Sequence, residues 1–482
     1  MSEVIGSKAA RWWALVGIVV LATAIHVLSR PEPAHEVAAP VRVWSRVITL
    51  TAADGRATAA IDNGGPGDSV WLDRGDGELR VRAGRVGTAA VAEHGTSART
   101  DSHRYGGDRL RACGKAGDRA EIRCTRWTSA DDPAPDRVGR ALERLLDRYD
   151  HRTGLWENDS STWQSANALT TLLDYATRTG DRQYLGYLEE TYSHGAVSDL
   201  GVPRDTGYND DELWWALAWI EGYDLTHEAR YLEAARRIVD RMHDRRASFC
   251  GGGLAWARTG VDPELRPWEQ VNSITNGLYL TATAALAARV DPALRTTYLD
   301  RATATWDWFA TRSGHPLLDS TGLINDHLDR YDDTCVLVDE NRRWTYGQAA
   351  LISGLVALHR ATNNPEPLAA ADRIATAATG SGSPFLDDGV LIEPSAVNCP
   401  GPGCRDAETY RGVFVRAYRD LLDTGASRVA SPEFLTRQAN SLRGAADEYG
   451  FRWQGAAAAD DRPNFATQAA ALDALLPLRI RS

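Results

Sequence analysis

The chain has 482 residues, too many for one ordinary core when domains run to roughly 100–200 residues, so a large domain with a smaller companion is expected. A formal charge of −11, with the arginines spread out, offers no field to hold a phosphate backbone and argues against a nucleic-acid partner. Sixteen Trp and sixteen Tyr against seven Phe favour rings with a polar edge, as in partly wet sugar clefts, though ordinary packing accounts for most of them.

Residues 1–11 carry Lys8 and Arg11 and are expected on the cytoplasmic side of a membrane. From Trp12 to Leu28 the only strongly polar residue is His26, so residues 12–30 read as a transmembrane helix or signal anchor. The small-residue run ending at Ala24 also fits a cleavage site, which would give a secreted protein instead of a membrane-held one with an extracellular catalytic domain. Residues 31–40 form a Pro/Ala linker. Residues 41–128 hold short strand-like runs, "VWSRVITLTA", "RATAAID", "DSVWLD" and "ELRVRAG", broken by Gly, Asp and Asn, as in a small β-rich module that either binds glycan or serves as a spacer.

Six cysteines fit an oxidising compartment. Cys113 and Cys124 lie close in sequence, Cys399 and Cys404 flank a Pro/Gly loop, and Cys250 with Cys335 is the pairing left by elimination, one of several connectivities. Neither close pair has zinc-site spacing, none of the eleven His has ligand spacing, and no metal or other cofactor is expected.

From residue 131 to 482 the apolar residues recur at three- and four-residue steps, giving about twelve helices. Helices containing Trp163, Trp214, Thr275, Tyr346 and Tyr410 mix aromatic and polar residues into apolar runs, whereas those between them, such as "ARYLEAARRIVDRM", have the stripe of an outer helix. A near-regular repeat of helix pairs predicts stacked hairpins, either an open solenoid or a closed all-α (α/α)6 barrel with its cleft where the inner helices begin.

"YNDDEL" at 208–213 fits a helix start, with Asn209 as N-cap, Glu212 closing a capping box and Tyr208 with Leu213 as staple. Asp210 and Asp211 gain little from the helix dipole, at most about 1 kcal/mol each. Two carboxylates about 5 to 5.5 Å apart are, however, what retaining glycoside hydrolysis requires, and neighbours on a helix can reach that separation. Burial by Trp214 or Trp215 would then have to raise the pKa of the acid.

"YNDDELWWALAWIEGYDLT", "GGGLAW", "NSITNGLYL", "GLINDHLD", "RWTYGQAALISGL" and "YRGVFVR", in this order, resemble the glycoside hydrolase family 76 endo-α-1,6-mannanases, from residue 131 to the C-terminus. The resemblance implies an (α/α)6 barrel and a retaining mechanism with Asp210 as nucleophile and Asp211 as general acid/base. It implies α-1,6-linked mannan, or a mannose-containing envelope glycan, as partner. Gly347-Gln348-Ala349 stands where the family often has Asn-Gln-Gly, which leaves subsite preference open.

Trp163, Trp214 and Trp215 are candidates to stack on sugar rings, and Gly252 and Gly253 to let backbone approach the ligand. Asn167 and Asn276 either touch sugar or knit helices together. Tyr346, Gln348, Tyr410 and Arg411 are expected at the same mouth, with Arg411 alternatively neutralising the acids. A mannan transglycosylase using the same pair, and a non-catalytic glycan binder in which the aspartates only cap the helix, are the competing readings. A monomer is expected.

Overall fold

The computed structural model describes residues 34–478 except 39, 76–83, 105–108, 118, 120, 130–135, 157–161, 195–196, 313–316, 333, 338–341, 397–404 and 456–460. The anchor segment 12–30 and the Cys399/Cys404 pair lie outside the described residues. Among those described, no helix is long and apolar enough to cross a membrane. The chain divides into two units, one holding the strands up to residue 117 and one holding the helices from residue 136 onward together with Ile122–Cys124.

In the first unit, β3 (Arg46–Ala53) alternates with Ile48, Leu50 and Ala52 turned inward, the two-residue period of a half-buried strand. It pairs antiparallel with β4 (Arg56–Asp62) through Asp54-Gly55, whose φ values of 50° and 67° match a tight hairpin turn. β1 (His35–Glu36) and β2 (Val41–Val43) flank β3, and β7 (Ala98–Arg99) and β8 (His103–Arg104) flank β4. A second sheet places β5 (Ser69–Gly75) between β6 (Gly84–Ala90) and β9 (Arg109–Lys115). Ile48, Leu50, Ile61, Val70, Leu72 and Leu110 form the shared core. Cys113 and Cys124 are each in a disulfide, which removes the thiolates a zinc ion would need.

The second unit contains twelve α-helices among the described residues. Six are inner: α2 (Trp163–Thr179), α4 (Asn209–Thr226), α6 (Ser273–Ala287), α8 (Thr345–Thr362), α10 (Ala407–Leu422) and α12 (Phe465–Leu475). Each packs on the next and α12 packs back on α2, so the ring closes and no open solenoid remains. Burial distinguishes the two classes. In α6 only Thr281 and Ala285 are not buried, whereas outer α5 (Ala229–His243) buries Tyr231, Ala234, Ala235, Ile238, Val239 and Met242, a single stripe. The remaining outer helices are α1 (Arg137–Leu146), α3 (Leu185–His194), α7 (Pro292–Asp307), α9 (Pro365–Thr379) and α11 (Pro432–Ser441).

Short strands decorate the segments that lead into the inner helices. β10 (Gln270–Asn272), β11 (His327–Tyr331) and β12 (Thr334–Leu337) form one antiparallel sheet, and hairpins β13 (Leu386–Asp387)/β14 (Val390–Leu391) and β15 (Gly444–Ala445)/β16 (Glu448–Tyr449) precede α10 and α12. Cys250 and Cys335 are joined, tying the loop before α6 to β12.

Candidate active site

The start of α4 is built differently from the expected capping box. Tyr208 is the N-cap with extended backbone, makes no side-chain cap, and Asn209 is the first helical residue. The reason lies in a crossing segment. Asn209 N–H donates to the Trp256 carbonyl (2.8 Å), Arg258 N–H donates to Gly207 (3.0 Å), and the Tyr208 ring packs on Trp256. With the Asn209 N–H taken by the Trp256 carbonyl and the Tyr208 N–H by Thr206 Oγ1 (3.3 Å), neither is left for Glu212 to reach back to. Glu212, 1% exposed, instead pairs with Arg241 and with Arg245 (2.9 Å), and Arg245 also donates to Asn209 Oδ1.

Asp210 and Asp211 are half-buried. The Trp256 indole N–H donates to Asp210 Oδ2 at 3.0 Å and the Asp211 backbone N–H to Oδ1 at 3.1 Å; Thr206 Oγ1 donates to Asp211 Oδ2 at 2.8 Å. Burial pushes the Asp210 carboxyl well above the usual range and the charge of Asp211 adds to this, while the N–H donors oppose it. The ring that donates to this carboxyl is Trp256. Trp215 is 1% exposed, donates to Thr162 and stacks on Trp219 in the core.

An aromatic wall stands next to the pair. Trp163 and Trp214 are stacked with centroids 5.9 Å apart, Trp163 lies 6.3 Å from Tyr410, and Trp344 meets Tyr410 edge-on at 5.4 Å. Tyr346 and Tyr410 stack at 3.7 Å and are joined through their hydroxyls. Burial, then Asp326 and Asp210, pushes the Tyr346 hydroxyl upward. The chain of contacts joins the first turns of α2, α8 and α10 to the second turn of α4, so these four inner helices present their N-terminal ends at one mouth. Asp406, just before α10, accepts from the Trp163 indole, and burial lifts it to about 6. Among the described residues neither Asp210 nor Asp406 is in an ion pair.

Several other residues named from the sequence are engaged within the protein. Asn167, 1% exposed, accepts from Arg416 and donates to the Trp163 carbonyl, joining α2 to α10. Asn276 accepts from Leu254 N–H (2.8 Å) and donates to the Leu254 carbonyl (3.0 Å). Gln348 does the same to Ile324, at 2.8 Å each way. Asn276 and Gln348 are satisfied by backbone and Asn167 by backbone and Arg416, and these partners explain why polar groups sit in apolar helices. A Cβ on Gly253 would lie 2.6 Å from Trp308 and Val271, so that glycine serves packing. Gly252 lines a depression with His243, Arg246 and Thr297 beside α5 and α7. Arg411 faces a separate cavity with Glu393 and Trp453 rather than the aspartate pair.

Trp256, Thr206, Asp326 and Asp406 were not singled out from the sequence. Trp256 and Asp326 lie inside the quoted "GGGLAW" and "GLINDHLD", where motif recurrence was the available signal; nothing local marked Thr206 or Asp406.

An inactive variant of the α-1,6-mannanase GH76A of Salegentibacter sp. HEL1_6, with two adjacent aspartates replaced by asparagine and α-1,6-mannotriose bound, superposes with a TM-score of 0.60. It is 22% identical, and the match covers 71% of this chain and 97% of that one. Dfg5 from Chaetomium thermophilum, in complex with glucosamine, gives 0.56 at 19% identity, covering 67% and 81%. The family 76 mannosidase Bt3792 from Bacteroides thetaiotaomicron gives 0.53 at 16%, covering 72% and 97%. Comparison with curated proteins gives no match. Residues 139–482 match the model of glycosyl hydrolase family 76, and a match over so much of the chain means that it belongs to that family of glycosidases.

Proposed function

We propose that this protein hydrolyses internal α-1,6-mannosidic linkages with retention of configuration. The observation that carries this reading is the adjacent pair Asp210 and Asp211 at the mouth of the barrel, with Asp210 held, among the described residues, by indole and backbone N–H donors and facing a wall of Trp and Tyr rings. The solved relative that is inactive with two adjacent aspartates replaced, and that holds α-1,6-mannotriose, supports both the pair and the linkage.

Asp210 attacks the anomeric carbon while Asp211 gives its proton to the departing glycosidic oxygen, leaving a glycosyl ester and a free sugar hydroxyl. Water then attacks the same carbon, Asp211 takes the proton, and Asp210 leaves. One proton shared by the pair serves both roles. With it on Asp211 the repulsion from that charge is gone, and the Trp256 and Asp211 N–H donors hold Asp210 as the carboxylate a nucleophile needs against the burial that still raises it. Tyr346, stacked on Tyr410 beside the pair, orients the sugar ring. Export from the cytoplasm is supported by the disulfide between Cys250 and Cys335.

The test is product analysis on linear α-1,6-mannan with the full chain, Asp210→Asn and Asp211→Asn. Short α-1,6-manno-oligosaccharides whose first-formed anomer is α, with turnover falling about 10²–10⁴-fold in either variant, are expected. Unchanged turnover in both variants would leave the aspartates as a helix terminus only, and a β anomer would exclude retention.

A further inference from the structure

The first turn of α10 presents two faces. Asp406 and Tyr410, four residues apart, share the face toward Trp163, Trp344 and Tyr346, whereas Glu408 and Arg411 are rotated from it by roughly 100° or more. That second face borders a cavity of about 600 Å³, inside the size range of small-ligand sites. Its walls come from the β14 segment, residues 451–454 and the entry to α12.

Arg411 sits at the base of this cavity, 3% exposed, with its guanidinium 4.5 Å from the ring centroids of both Phe451 and Trp453. Nη1 donates to the Leu391 carbonyl at 3.1 Å, and among the described residues the buried Nε–H has no acceptor. Four acids and four arginines line the space, so their formal charges cancel and no ion is selected. Some of those acids already have a partner: Asp461 accepts from the backbone N–H groups of Phe451 and Arg452, and Glu408 from Asn464. What remains is a mixed set of donors and acceptors without net charge, the complement of a ligand with many hydroxyls, each of which both donates and accepts.

We propose that this cavity is an accessory subsite for a neutral pyranose unit of the glycan, lying beyond the sugars bound at the aspartate pair. It rests on the reading of the protein as a mannan-active enzyme. Longer or branched chains gain affinity from it, and chains that fill only the mouth do not.

Ala396→Trp, at the half-buried rim, puts an indole into the cavity, and the exposed Arg452→Ala removes one wall donor as a milder second variant. The KM of Ala396→Trp for polymeric α-1,6-mannan should rise about tenfold and that of Arg452→Ala by less, with kcat/KM on α-1,6-mannotriose unchanged. Equal behaviour of wild type and both variants on the polymer would overturn the subsite while leaving the hydrolase reading intact. Parallel loss on the trisaccharide by a folded Ala396→Trp protein would also overturn it, because the cavity would then belong to the catalytic cleft. Should wild type cleave neither substrate, calorimetry of Asp210→Asn with the mannan decides the cavity alone: binding that Ala396→Trp abolishes upholds it, and no such binding removes it.

Discussion

Buried carboxylates occur in two parts of the barrel and are treated in opposite ways. Deeper in the ring, Asp473 pairs with Arg416 at 2.8 Å, and Asp174 with Arg178 at 2.6 Å and with Arg419; Arg416 also reaches Asn167 and Thr171. At the mouth, Asp210 and Asp406 have indole and backbone N–H donors but, among the described residues, no cation. The charges of Asp473 and Asp174, which join helices, are neutralised, whereas those of Asp210 and Asp406 are solvated by neutral dipoles that can be shared with a ligand. The contrast even divides three consecutive residues, since among the described residues Glu212 has two arginines and Asp210 has none.

Breaking the paired set should have the largest effect. Arg416→Met leaves Asp473 without its cation and Asn167 without its donor, and denaturant unfolding should show a loss of about 3–5 kcal/mol. Glu212→Gln strands two arginines that remain partly open to water, and the loss should be nearer 2 kcal/mol, with the Asp pair intact and turnover reduced less than in Asp210→Asn.

Asp210→Asn should move stability the other way, raising it at neutral pH, although it destroys activity. The sign follows from linkage. The Asp210 carboxyl is raised in the folded state, so the native protein binds its proton more tightly than the unfolded chain and wild type loses stability as pH rises above about 4. The melting temperatures of wild type and variant should therefore converge near pH 3 and separate, with the variant higher, as pH rises toward the folded pKa. A variant that melts lower than wild type at neutral pH would contradict the contrast. The smallest expected effect is that of Trp256→Phe: losing the indole donor raises Asp210 further, and the acid limb of the pH–activity profile should shift upward by less than about one unit.

Much of this was legible in the sequence because helix periodicity and the alternation of striped and all-round apolar helices follow from burial alone. The aspartate pair was legible only through motif resemblance, since a helix opening on acids looks the same whether it caps or catalyses. Asn276 and Gln348 show what stays hidden. An amide in an apolar helix is costly without a partner, but its spacing does not say whether that partner is sugar or backbone. The N-cap moved from Asn209 to Tyr208 because the carbonyl of Trp256, 47 positions along the chain, takes the N–H that local rules assigned to Glu212. Arg411 was placed at the mouth by its position in the first turn, yet the rotation of one residue beyond Tyr410 turns it into the neighbouring cavity.

The amides that grip backbone recur around the ring. Asn276 holds Leu254, Gln348 holds Ile324, Gln438 holds Leu391 and Gly389, and Gln468 holds Tyr449 and Asp447, each accepting one N–H and donating to a carbonyl. Such a grip reads main chain and is blind to side chain. These four segments are thus plugged into sockets that fix the path of their backbone without reading which side chains they display, so a substitution on a segment's exposed face leaves the frame that carries the aspartates in place.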